Sequence, residues 1–76
     1  MKSFKVVLSS VIEVNNFVNA VNEFDFDVEL VSGGFVVDAK SMMAIFSLEL
    51  ASPLTMRVYC EETDDFEKAL GGFIVY

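Results

Sequence analysis

The chain begins with an alternation of polar and apolar residues and then changes to a helical period. Phe4, Val6 and Leu8 are separated by Lys5 and Val7, and this two-residue period predicts a first β-strand. Apolar residues then recur three or four positions apart, as in an amphipathic helix. These positions are Val14, Phe17, Val18, Val21 and Phe24. A helix is therefore expected from about Val11 to Phe24.

The start of this helix carries its own signal. Ser10 and Glu13 have the spacing of a capping box. In that motif the serine oxygen accepts a hydrogen bond from a free backbone N–H group, and the glutamate reaches back across the helix start. The favoured interpretation of Glu13 is therefore a structural capping residue.

The clearest alternation runs from Asp25 to Val31. Its acidic positions (Asp25, Asp27, Glu29) and its apolar positions (Phe26, Val28, Leu30) fall on opposite faces of a strand. One wet face and one buried face are typical of an antiparallel sheet that is covered on one side. The glycines of segment 32–34 predict a hairpin turn, and 35–39 is expected to be the returning strand.

In the second half of the chain, helical and strand-like spacings of apolar residues alternate again. Ser41 is a predicted N-cap of a helix that runs to about Leu50, and Pro53 prevents its continuation. A fourth strand is expected where apolar residues alternate again, at Leu54, Met56, Val58 and Cys60. A last helix starts at Thr63 or Asp64. Two glycines at 71–72 weaken it, so the pattern leaves the conformation of 71–76 undecided.

The order of elements is β-α-β-β-α-β-α, within a single domain spanning residues 1–76. Two helical crossovers with antiparallel pairs predict an α+β, open-faced β-sandwich. In this fold class a four-stranded antiparallel sheet is covered on one face by three helices.

Composition narrows the functional classes. The formal net charge is −7, and only five residues are basic, so neither nucleic acid nor an anionic membrane surface is an expected partner. The single cysteine allows no internal disulfide, which fits a cytoplasmic location. No signal peptide or membrane-spanning run is recognised. Apolar residues make up 54% of this small chain, so exposed apolar contact surface is expected.

Little in the pattern points to catalysis or to a cofactor. Cys60 is in phase with buried positions of its strand and is interpreted as a core residue. The acidic residues of 25–29 are interpreted as a solvated face, because converging metal ligands from elsewhere are not recognised. The protein is therefore not expected to be an enzyme or to hold a metal or cofactor.

Three segments resemble one protein family. Val36–Leu50 reads V-V-D-A-K-S-M-M-A-I-F-S-L-E-L. It is similar to the second-helix region of HPr, the histidine-containing phosphocarrier protein of the bacterial sugar phosphotransferase system. The stretch from Phe17 to Leu30 resembles the family's F-V-x-x-A-x-x-F-x-x-x-V-x-L, with Val21 in place of alanine. Glu61–Leu70 resembles its acidic last helix. The resemblance implies the same open-faced α+β fold.

The chain departs from the family between its first strand and its first helix. The family has G-(L/I)-H-A-R-P there, whereas this chain contains no histidine. Aligned from the N-terminal side, Glu13 takes the place of the histidine, and Asn15 and Asn16 take those of the arginine and proline. Aligned backward from Phe17, about three residues, close to one helical turn, are missing. In both alignments the nucleophile and its arginine are lost.

The resemblance implies roles for four residues of the second-helix region. Ser41 corresponds to a serine that a dedicated kinase phosphorylates in many Gram-positive bacteria; as a plain N-cap it needs no such role. Met42, Met43 and Phe46 are expected to form a protein-docking face. Burial in the core is the alternative for some residues of this helix, and it is favoured for Met43 or Ile45.

The favoured function is an HPr-like, non-catalytic regulatory or protein-interaction module that has lost its histidine phosphocarrier activity. Its expected partners are phosphotransferase-system or other regulatory proteins, and self-association through the Met42, Met43 and Phe46 face is a further expectation. Two alternatives stay open: a phosphoryl carrier that uses Glu13 as acceptor, and an HPr fold recruited to an unrelated partner.

Overall fold

The computed structural model describes residues 1–75. The elements in chain order are β1 (Lys2–Val6), α1 (Val11–Val21), β2 (Val28–Ser32), β3 (Phe35–Asp38), α2 (Met42–Phe46), β4 (Leu54–Val58), α3 (Asp64–Leu70) and β5 (Ile74–Val75). The strands form one sheet in the order β3-β2-β4-β1-β5. Every neighbouring pair is antiparallel.

The predicted α+β architecture is confirmed, with one correction to the sheet. It has five strands in the described part of the chain, not four, because the segment after α3 returns to the edge of β1. Ile74 pairs with Val6 and is buried, and the N–H group of Val7 donates to the carbonyl of Phe73 at 3.1 Å. Burial of the apolar tail explains the added strand. Of the undecided segment 71–76, position 76 lies outside the described residues.

The first helix ends earlier than its apolar period suggests. α1 stops at Val21 rather than at Phe24. Asn22 closes the helix, since both its backbone N–H and its side-chain amide donate to the carbonyl of Val18 at 2.9 Å. Phe24 then turns into an aromatic cluster, with ring centroids 5.5 Å from Phe26 and 5.1 Å from Phe66.

The second strand also starts later than predicted, and the same aromatic cluster explains the difference. β2 begins at Val28 and not at Asp25, because Phe26 packs with its ring centroid 5.6 Å from that of Phe66. The second helix is shorter than predicted as well. α2 ends at Phe46 rather than at Leu50, and the Ser47 hydroxyl donates to the carbonyl of Ala44 at 2.6 Å.

The core lies between the sheet and the helices. Alternate residues of the central strands point into it; Leu30, Met56 and Val58 are fully buried. α1 contributes Val14, Phe17, Val18 and Val21, and α3 contributes Phe66 and Leu70.

The opposite face of the sheet carries Lys5, Thr55, Arg57, Glu29 and Val31, none of them fully buried. Within residues 1–75, no helix is long and apolar enough to cross a membrane.

Candidate functional site

Glu13 lies in the first turn of α1 and is held by the residues before the helix. The N–H group of Glu13 donates to the Ser10 hydroxyl oxygen at 3.1 Å, and Ser10 has the extended backbone of an N-cap. In return, Glu13 Oε1 accepts from the backbone N–H of Ser9 at 2.9 Å and from its hydroxyl at 3.1 Å. The glutamate thus reaches one residue beyond the N-cap, a shifted form of the predicted capping box.

Three of the five basic side chains have partners away from Glu13. Lys5 donates to the hydroxyl of Thr55 at 2.8 Å on the open face of the sheet. Lys40 donates to the carbonyl of Phe24 at 2.7 Å, and Arg57 lies 3.8 Å from a carboxylate oxygen of Glu29. Neither α1 nor α2 contains a basic residue. These two helices therefore supply no cation of the kind that stabilises a phosphoryl group in transfer reactions.

Ser41 is the N-cap of α2. Its hydroxyl oxygen accepts a hydrogen bond from the Ala44 N–H at 3.3 Å, and its side chain is partly buried. The backbone N–H of Ser41 donates to the carbonyl of Asp38 at 3.1 Å, while the Asp38 carboxylate accepts from the N–H of Lys40 at 2.8 Å. The serine is therefore already engaged in capping, with a carboxylate in the preceding turn.

The structure separates the three expected docking residues of α2. Met43 is 86% exposed and Phe46 is 42% exposed. Met42 is partly buried and packs against the core. Of the two residues for which burial was favoured, Met43 or Ile45, the buried one is Ile45. Because residues three apart lie on one side of a helix, Met43 and Phe46 form one exposed apolar surface.

Phe46 also lines a shallow groove between α2 and the start of α1. The groove has a volume of about 450 Å³. Its lining consists of Val7, Leu8, Ser9, Ser10, Val11, Phe46, Leu50 and Ala51. None of these residues is charged. The structure therefore joins the segment of the missing histidine to the second-helix surface.

Sequence reasoning missed two exposed apolar residues at the start of α1: Val11, which lines this groove, and Ile12, which follows it in the sequence. Val11 and Ile12 are 67% and 71% exposed. Ile12 could have been found from the helical period, since it shares a face with Asn15 and Asn19, which are both exposed. Val11 follows the phase of the buried stripe and is exposed because it lies in the first turn. We define the α1–α2 surface as Val11, Ile12, Met43 and Phe46.

A second groove, of about 290 Å³, is lined by the start of β2, the end of β3 and the residue after β4, and it carries acidic residues. Asp27, Glu29 and Asp38 line it together with Tyr59, whose hydroxyl donates to Glu29 at 2.6 Å. Among residues 1–75, no group of three or more His, Cys, Asp or Glu side chains is arranged to hold a metal ion. Cys60 is a partly buried free thiol, and its Sγ donates to the carbonyl of Glu62 at 3.3 Å.

Comparison with known proteins identifies the family. Residues 13–73 match the family model described as "PTS HPr component phosphorylation site". The chain belongs to the HPr family. The family resemblance of its sequence is thereby confirmed, and the fold is that of a phosphocarrier of the phosphotransferase system. Among curated proteins, none matches the chain significantly.

Two solved HPr structures are similar over nearly the whole chain. HPr-C-His from Thermoanaerobacter tengcongensis has a TM-score of 0.79 at 20% identity, and covers 95% of this chain and 89% of its own. At this identity the likeness concerns the fold alone. The phosphocarrier protein HPr from Bacillus anthracis strain Ames has a TM-score of 0.70 at 26% identity, and covers 97% of this chain and 94% of its own.

Proposed function

We propose that this HPr-family chain is a non-catalytic interaction module that has lost histidine phosphocarrier activity. The observation that carries the proposal is the absence of histidine from a sequence that otherwise matches the family over residues 13–73. A phosphocarrier needs a nucleophile that accepts and releases a phosphoryl group near neutral pH, and imidazole has this property.

The surroundings of Glu13 argue against its use as a substitute acceptor. One of its carboxylate oxygens already accepts two hydrogen bonds from Ser9. Formation of an acyl phosphate would break those bonds at the helix start. It would also bring further negative charge to a segment without a basic neighbour in α1 or α2. A capping role requires none of these costs.

The proposed partner-binding site is the α1–α2 surface, with Met42 supporting it from the core side. Three features favour a protein partner: the surface is apolar, its groove is concave, and a methionine adapts to different contacts. Glu13 accepts hydrogen bonds from the groove-lining Ser9, and Glu49 accepts one from the backbone N–H of the groove-lining Ala51. We therefore expect the partner to place apolar side chains in the groove and basic ones at its rim.

We further propose Ser41 as a regulatory phosphorylation site, on the strength of the family resemblance. A phosphate at an N-cap is favoured by the free N–H groups of the first helical turn. The Asp38 carboxylate, in the preceding turn, opposes it through repulsion between like charges. Incubation with the family's serine kinase and labelled ATP tests this, with Ser41→Ala as the control; absence of label on the native chain would exclude the site.

A competition experiment tests the main proposal. The chain is mixed with the first enzyme of the phosphotransferase system, a histidine-containing HPr and labelled phosphoenolpyruvate. We expect no label on this chain and slower labelling of the ordinary HPr, because both proteins compete for one docking site. Acid-labile or hydroxylamine-sensitive label on Glu13 would instead establish it as a phosphoryl acceptor.

Two matched variants locate the competing surface. Phe46→Lys places a charge in the groove and should abolish the competition. Val75→Lys changes a residue of β5 that is at least as exposed as Phe46 and should leave the competition intact. If the native chain does not slow the labelling of HPr, it does not bind the first enzyme at the HPr docking site, and the recruited-fold alternative gains support.

A further inference from the structure

Within residues 1–75, the outer strand β3 pairs with β2 alone and leaves an apolar edge of the sheet free. Phe35 is 73% exposed and Val36 is 50% exposed, although both belong to a strand that is paired in register with β2 from Ser32 to Glu29. Protein edges are commonly protected by lysine, proline or a bulge. The β3 sequence, Phe-Val-Val-Asp, contains neither residue, and its four pairs run without interruption. The opposite edge strand, β5, has two residues within the described part of the chain.

The hairpin geometry fixes which backbone groups of β3 face outward. Gly33 and Gly34 form a two-residue loop, and Gly33 has φ +58°, as the first position of a type II′ turn requires. The residues that flank such a loop exchange hydrogen bonds with each other. Phe35 therefore bonds to β2, and the pattern alternates from there. The Ala39 N–H donates to the Val28 carbonyl at 2.9 Å, as expected if every second residue from Phe35 onward bonds to β2.

It follows that Val36 directs its N–H and carbonyl groups away from the sheet. Its side chain lies on the open face, opposite Val31, whereas Val37 lies opposite the fully buried Leu30. Phe35 shares the helix-covered side with Val37. The free edge thus presents one donor and one acceptor at Val36, flanked by apolar side chains on both faces of the sheet.

We propose that this edge pairs with the β3 strand of a second copy of the chain. Antiparallel pairing about a two-fold axis at Val36 places Val36 opposite Val36 of the second copy, and Phe35 opposite Val37. Asp38 then lies opposite Gly34. Apolar residues meet apolar residues at the centre, and the two Asp38 carboxylates lie at opposite ends of the seam. The two sheets would join into one continuous ten-stranded sheet.

Two copies pair better with the two-fold axis at Val36 than with the axis moved by one residue. With the axis at Val37, Asp38 would lie opposite Val36 and place a charge among the apolar side chains. The Val36-centred register avoids this and exchanges two backbone hydrogen bonds between the Val36 residues. Little charge repulsion arises within the seam itself, because Asp38 is the only charged residue of β3.

Sedimentation equilibrium of the full chain over a range of concentrations tests the proposal. We expect a monomer–dimer equilibrium. Val36→Pro removes the outward N–H without removing a bond to β2, and should raise the dimer dissociation constant by about tenfold or more. Val36→Thr keeps both the N–H and the branched shape, so its dissociation constant should stay within about threefold of the native value.

Two further variants keep the test independent of folding and of the α1–α2 surface. Phe35→Glu changes only an exposed side chain and should also dissociate the dimer, even if Val36→Pro does not fold. Phe46→Lys should leave it unchanged. A native chain that remains monomeric throughout, a dimer insensitive to Phe35→Glu and Val36→Pro, or a dimer dissociated by Phe46→Lys would each overturn the proposal.

Amide hydrogen exchange gives a residue-level readout of the same seam. In the monomer the Val36 N–H faces water and should exchange rapidly, while the Val37 N–H is bonded to β2 and should be protected. In the dimer the Val36 N–H becomes protected as concentration rises. Protection of Val36 that does not change with concentration would contradict the pairing.

Discussion

At the scale of single residues, short polar side chains define where the helices of this chain begin. Ser10 and Ser41 each accept a hydrogen bond from a backbone N–H three residues later. Neither serine needs a functional role to explain its position. This matters most for Ser41, since the proposed modification would act on a residue that already stabilises α2.

We predict that Ser41→Ala lowers the free energy of unfolding by about 1 kcal/mol, the usual effect of a lost N-cap. The short length of α2 makes it dependent on this bond, because five residues supply few internal hydrogen bonds. A urea melt measures the change. Ser52→Ala, at an exposed position, serves as the control and should be near neutral. Equal stability of the two variants would mean that the Ala44 N–H is satisfied by water at no cost.

Glu13 offers a second test at this scale. Glu13→Ala removes the acceptor for two hydrogen bonds from Ser9 and should cost about 0.5–1 kcal/mol. Glu13→Gln keeps an oxygen acceptor and should cost less. Thermal unfolding of both variants checks the order. If alanine and glutamine are equally tolerated, the capping interaction adds nothing, and the structural argument against Glu13 as an acceptor is weakened.

At the scale of elements, the contribution of β5 to the free energy of unfolding can be tested by comparing its two residues. Ile74 is 8% exposed and Val75 is 52% exposed on the same two-residue strand. Ile74→Ala should therefore cost about 2 kcal/mol, at the low end for a buried isoleucine. Val75→Ala should change stability by about 0.5 kcal/mol or less. Comparable losses in denaturant melts would show that the tail is held by its backbone bonds rather than by Ile74.

Most elements could be predicted from the sequence because their signals are local. The alternation in β4, the glycine turn between β2 and β3, and the serine caps all depend on neighbouring residues. The end of α1 at Val21 could not be predicted, because Phe24 continues the helical period. What draws it out of the helix is Phe66, which lies 42 positions later in the sequence.

Contacts between residues distant in the sequence also determine β5 and the candidate site, so local patterns could not predict them. The tail 73–75 reads equally as helix extension or strand, and only contact with β1 and Phe17 decides between them. In α2, apolar residues occupy every position, so periodicity could not tell that Met43 is exposed and Ile45 buried. The groove that joins Val11 to Phe46 depends on how two helices meet, which no local pattern encodes.

At the scale of the whole molecule, negative charge is concentrated at one end. The Tyr59 N–H donates to the Asp27 carbonyl at 3.0 Å, which brings the end of β4 to the start of β2. Eight exposed acidic residues lie at or near this end: Glu23, Asp25, Asp27, Asp38, Glu61, Glu62, Asp64 and Asp65. Among residues 1–75 the one ion pair joins Arg57 to Glu29. The α1–α2 groove lies toward the other end and is uncharged.

This asymmetry predicts that salt stabilises the protein. Raising sodium chloride from about 0.01 M to about 0.15 M shortens the Debye length from about 30 Å to about 8 Å, and so screens repulsion within the acidic end. The melting temperature should rise accordingly. Glu62→Lys at the acidic end should flatten this response, while Glu49→Lys makes the same charge change near the groove and should flatten it less. Thermal melts across the salt series compare the slopes. Equal slopes for the two variants would show that total charge, and not its placement, controls stability.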